Sequence, residues 1–149
     1  MKLLAGALVF VLCALVGEGK ARRLTRREQS LQRLHGLIRE SGERQLSLLV
    51  SLREGVLRCP PSAEREQLLA LVQGQEAVMP LLTTEERAAL RAYARSESRS
   101  VEGLRRERDA LLALLQGARA QAHEELVHKG QVYRSVGYLG GVAALLLVL

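Results

Sequence analysis

Apolar positions along this chain follow three regimes. Residues 3–17 read LLAGALVFVLCALVG, without a single charge, and the run from Val136 to Leu149 is apolar again. Between them, apolar residues recur every three or four positions among arginines and glutamates, which is the period of an amphipathic helix. Leu24, Leu31, Leu34 and Ile38 predict a first helix that can continue the opening apolar run and that Gly42 ends. Leu46, Leu49, Leu52 and Val56 form a second stripe, stopped by CPPS. Ser62 is placed to cap a third helix carrying Leu68, Leu69 and Val72, and Gly74 and Pro80 bracket a short fourth piece. Thr83 followed three residues later by Glu86 is a capping-box start signal for a helix carrying Leu90 and Tyr93. The Ser-rich stretch SESRS reads as a turn between helices. Ser100 then caps the last and longest helix, with Leu104, Leu111, Leu115, Ala118, Ala122 and Leu126 on one face. No stretch alternates long enough to make a strand. The expected fold is all-α: a bundle of five or six helices over residues 20–130, flanked by membrane helices at residues 1–19 and 131–149.

Composition sharpens this in one respect. The chain is 48% apolar but only 3% aromatic, so Leu, Val and Ala must build the core. That bias suits helix-on-helix packing better than a sheet. At 149 residues there is room for one domain plus anchors.

The net charge of +6 is mostly arginine, and its placement sets an orientation. Lys20, Arg22, Arg23, Arg26 and Arg27 follow the first apolar run with no acid among them, and Lys129 and Arg134 precede the second. Basic residues beside a membrane segment stay on the cytoplasmic side, so both flanks put the middle of the chain in the cytoplasm. Tyr133 and Tyr138 then fall near the headgroup level. Gly137, Gly140 and Gly141 offer a flat face for close helix contact, although glycine is also simply common in membrane helices. The second run is short for a span of roughly 20 residues. It lengthens if Arg134 snorkels to the headgroups. The alternative is a secreted or surface-anchored helical protein with a cleaved signal peptide. VGEGKA is a weak cleavage site, and cleavage would require carrying the arginine cluster across the bilayer.

No catalytic, cofactor or metal-binding constellation emerges. His123 and His128 stand five apart, and HEELVH is one residue too long for a zincin motif, whose histidines need the i, i+4 spacing. There is no glycine-rich phosphate loop. Cys13 and Cys59 are separated by the membrane boundary and are not expected to bridge. FVLC has bulky Leu12 where a lipid-attachment site usually has a small residue. The basic cluster lacks interleaved aromatics, which points to membrane lipid and away from nucleic acid.

The stretch KGQVYRSVGYLGGVAALLLVL resembles the C-terminal signature of the stage III sporulation protein AB family. Lys129, Tyr133, Arg134, Ser135, Gly137, Leu139 and Gly140 carry the pattern. ARRLTRREQSLQRLHGLI and LTTEERAALRAYAR are similar to the family's first cytoplasmic helix and a later one. ARSESRSVEGLRRE lacks the Leu-Gly turn and the glutamine usual there, and RESGERQLSLLVSLREG lacks the usual Pro-Leu, so the chain reads as a divergent member. The resemblance implies a soluble part similar to the helical cytoplasmic domain of type II secretion F proteins. It implies a non-enzymatic platform subunit of the mother-cell channel complex, in the outer forespore membrane. Its partners would be other membrane subunits of the channel and a cytoplasmic secretion-type ATPase, with no cofactor.

Overall fold

Ser51, Ser62, Thr83 and Ser100 each precede a helix, and each does so for the same reason: a short hydroxyl side chain accepts from a backbone N–H of the first turn that has no partner inside the helix. A computed structural model describes residues 2–96 and 100–148, with side chains for residues 5–96 and 100–146. Its helices are α1 (Lys2–Leu48), α2 (Leu52–Leu57), α3 (Ala63–Val72), α4 (Thr84–Ala94), α5 (Val101–Glu125), a π-helical turn (Leu126–Gly130) and α6 (Gln131–Val148). Ser51 Oγ accepts from Glu54 N at 3.3 Å, Ser62 Oγ from Arg65 N at 3.1 Å, and Ser100 Oγ from Gly103 N at 3.0 Å. At α4 the full capping box forms: Thr83 Oγ1 accepts from Glu86 N at 3.2 Å, and Glu86 Oε2 accepts from Thr83 N at 2.8 Å. The turn expected at SESRS falls largely on residues 97–99, outside the described residues. No strand occurs among the described residues.

The chain divides into two compact units, one from Gln29 to Ala120, the other from the two ends, up to Glu28 and from Gln121 onward. In the central unit, Leu31, Leu34, Ile38, Val56, Leu68, Leu90 and Leu115 are essentially sealed from solvent. These are largely the apolar stripes expected from the period. Each such side chain contributes roughly 1.5–3 kcal/mol relative to leaving it in water.

Gly42 does not end the first helix. α1 runs through it to Leu48, and Gly42 is buried at a crossing where a methyl group would meet Arg108 Cδ at 2.5 Å. The glycine permits close approach there, with the helical backbone intact. Termination falls to Leu49, which adopts a left-handed φ of 52° at an 81% exposed position. The second stripe is consequently split: Leu46 lies in the last turn of α1, while Leu52 and Val56 lie on the short α2. Gly55 on α2 rests on α1 so closely that a methyl group would stand 2.7 Å from the Ser41 carbonyl oxygen. The piece between Gly74 and Pro80 is not helical. Gly74 takes φ 79°, a region open to glycine, and the following residues cross back to α4 with Met79 and Leu82 buried.

In the terminal unit the buried positions of the last helices are small: Ala122, Gly130, Gly137 and Gly141. Ala122 and Gly130 stand eight apart, Gly130 and Gly137 seven. Seven residues bring an α-helix almost back to the same face, whereas eight overshoot by roughly 80°. The π-helical turn lies within the longer interval, and its wider coil takes up the extra residue. Among the described residues no helix is long and apolar enough to cross a membrane, so the two flanking membrane helices are not established by the fold. Leu3, Leu4 and residues 147–149, which lengthen the apolar runs in the sequence, contribute no described side chains.

Candidate functional site: a glycine-seamed hairpin of the chain ends

The beginning of α1 and the end of the chain pair antiparallel. Contacts descend along one strand of the pair as they climb along the other. Phe10 meets Gly141, Cys13 meets Gly137, Gly17 meets Tyr133 and Gly137, Glu18 meets Arg134, Arg27 meets Glu125, and Glu28 meets His123. Around Gly17 and Gly137 the seam is made of backbone. A methyl group at Gly17 would stand 2.5 Å from the Tyr133 carbonyl oxygen. One at Gly137 would stand 2.9 Å from the Cys13 carbonyl oxygen, while one at Gly141 would meet the Phe10 ring, 2.6 Å from Cδ2, with Phe10 Cα at 3.2 Å. Helices approach this closely where both present small residues, here Cys13 and Gly17 on α1 against Gly137 on α6, while Gly141 makes room for the Phe10 ring.

The large aliphatic side chains of the same helices point the other way. Leu8, Val11, Leu12, Leu15 and Val16 on α1 are each more than half exposed, as are Val132, Val136, Leu139 and Leu146 on α6. A water-soluble hairpin buries its leucines and exposes small or polar residues; this one has the reverse arrangement.

Past the seam, charge takes over. Glu18 lies between two guanidiniums, with Arg22 and Arg134 both at 3.3 Å. Glu125 receives Lys129 at 2.9 Å and Arg27 at 3.5 Å. The hydrogen bond from Lys129 holds the Glu125 carboxyl below the usual carboxylate range, and the same bond raises the Lys129 ammonium. His123 Nδ1 is 2.8 Å from Glu28 Oε1. Lys20 Nζ sits 5.4 Å from the centre of the Tyr133 ring, a cation–π distance.

Of the residues singled out from the sequence, Tyr133, Arg134, Gly137 and Gly141 converge on α1 of the same chain. Tyr138 is exposed, and Gly140 turns away, with open space where a side chain would stand. In the basic cluster, Lys20, Arg22 and Arg27 reach the contacts just described, while Arg23 and Arg26 are exposed. Gly17, Glu18 and Glu125 were not legible as site residues, because their role depends on which distant residue lies opposite. Elsewhere, Cys59 is buried, with its thiol pushed up first by desolvation and then by the nearby Glu40 charge. Its Sγ–H donates to the Gly55 carbonyl at 3.4 Å. Among the described residues no group of three His, Cys, Asp or Glu side chains could hold a metal ion.

No family model, curated protein or solved structure matches the chain.

Proposed function

We propose that this protein is a non-enzymatic membrane platform subunit. Its first and last helices enter the bilayer together as a hairpin, and the helical bundle between them stays in the cytoplasm as a docking body. The observation that carries the reading is the inverted hairpin: glycine backbone inside, leucine and valine outside. In water that arrangement leaves apolar surface exposed at roughly 25 cal/mol per Å². In lipid it costs nothing, and close backbone packing becomes the main source of helix association. The arginines beside the first run and the Lys129–Arg134 stretch fit a cytoplasmic middle.

The resemblance to stage III sporulation protein AB gives the platform its setting, a secretion-like channel complex in the mother cell with a cytoplasmic ATPase as partner. The hairpin lends that motif a physical sense. Tyr133, Arg134 and Gly137, three of its residues, meet Gly17, Glu18 and Cys13 of the same chain, so the signature closes the anchor.

Two experiments test this. Alkaline carbonate extraction of cells should leave the full chain in the membrane pellet; release into the soluble fraction overturns the anchor. A clean deletion in a sporulating host should complete engulfment and then stall with small, collapsing forespores. Normal bright spores overturn the channel assignment.

A further inference from the structure

Where the glycine seam gives way to charge, the hairpin opens into a groove of about 500 Å³. Ala21 and Thr25 of α1 form one wall; Gly130, Gln131 and Arg134 form the other, with Leu126 and Val127 at the π-helical turn. The groove exists because both walls are low. Ala21 and Gly130 are buried, and neither carries a side chain long enough to fill the gap. Thr25 spends its hydroxyl proton on the Ala21 carbonyl at 3.2 Å, leaving Gln131 and Arg134 as the donors that line the space.

The electrostatics at its mouth are unbalanced. One carboxylate, Glu18, serves two guanidiniums, Arg22 and Arg134. Lys20, over Tyr133, and Arg23 lie on the opposite flank of the hairpin, so the surplus at the groove is that of Arg22 and Arg134 over Glu18. The rim is partly apolar: Val127, which lines the groove, is 54% exposed. A pocket with a guanidinium and an amide donor inside, excess positive charge at the mouth and apolar flanks matches a phosphate that carries hydrocarbon.

We propose that this groove binds the headgroup of an anionic phospholipid, with Arg134 shared between Glu18 and the lipid phosphate, and acyl chains lying along exposed Leu15 and Tyr138 on the same flank. The proposal rests on the membrane reading above and names the lipid class at that anchor. A basic pocket between helices at the cytoplasmic border is a recurrent way of holding such headgroups.

The test titrates the full chain in neutral detergent with phosphatidylglycerol or phosphatidylcholine of matched acyl chains, counting bound lipid by native mass spectrometry. The wild type should bind phosphatidylglycerol more tightly. Arg134→Gln should weaken that binding about ten-fold, the loss of a hydrogen bond to a charged group, and erase the preference. Glu18→Gln, which frees Arg134 from its competitor, should strengthen it; a merely structural role for this ion pair would weaken binding in both variants. Equal binding of the two lipids, or loss in both variants, overturns the proposal. So does displacement of the lipid by millimolar glycerol 3-phosphate, which would make the ligand a soluble phosphate. Carbonate extraction separates the two failures: a chain that stays in the pellet yet shows no lipid preference keeps its anchor and loses only this site.

Discussion

Replacing Gly137 and Gly140 by alanine, one at a time, sets two chemically identical changes three residues apart against each other. Alanine is the better helix former by about 0.8–1 kcal/mol per residue, so both gain that much from propensity alone. At Gly140 nothing lies within 4 Å of the new methyl, and the variant should be neutral or slightly more stable. At Gly137 the methyl would stand 2.9 Å from the Cys13 carbonyl oxygen and 3.2 Å from Gly17 Cα. Both are backbone atoms of a helix and cannot rotate aside, so the helices must separate. Overpacking of this kind costs roughly 1–3 kcal/mol, and separation also forfeits contacts along the seam. The net expectation is a hairpin weakened by about 1–2 kcal/mol. Hydrogen exchange of amides 10–17 and 133–141, measured on the full chain in detergent, reads that opening locally. Gly137→Ala should raise exchange there by about five- to thirty-fold, with Gly140→Ala unchanged or slower. Equal exchange in the two variants would refute the seam.

Two further changes probe the central unit. Tyr93 is buried, and desolvation pushes its hydroxyl up to about 12, with the Arg108 charge opposing and the Glu107 charge adding. A folded-state value above the unfolded one means that stability is fully present below pH 10 and lost as pH rises from 10 towards 12. The shift corresponds to about 2–3 kcal/mol. Tyr93→Phe should remove this alkaline loss, and urea midpoints at pH 8.5 and 11 that fall as steeply as in the wild type would contradict it. Thr83→Ala breaks one half of the α4 capping box and should cost about 1 kcal/mol. That is about 2–4 °C in the melting temperature of a chain this size; an unaltered melt would mean that α4 does not depend on its cap.

Local chemistry was readable where cause and effect lie within one helical turn. Ser62, Thr83 and Ser100 act on backbone N–H groups three residues ahead, and Leu31, Leu34 and Ile38 announce a buried face by spacing alone. Gly42 was misread because glycine has two uses, to end a helix or to let another element come close, and only the presence of Arg108 against it selects the second. The pairing of Gly17 with Tyr133 and Gly137, or of Arg27 with Glu125, joins residues about a hundred positions apart. Nothing in either segment alone carries that register. Gly140 looked equivalent to its neighbours by composition, and the helix phase turns it outward.

That phase is held by the π-helical turn at Leu126–Gly130. An ordinary helix that gained or lost one residue would rotate everything beyond it by about 100°, turning Gly137 and Gly141 off the seam. Here a surplus residue is already absorbed within five positions. This turn is therefore the place in the last helices where chain length can drift by one during descent without changing which residues meet. Relatives lacking a residue there would be expected to show plain α-helix through the same stretch, with the same glycines against α1.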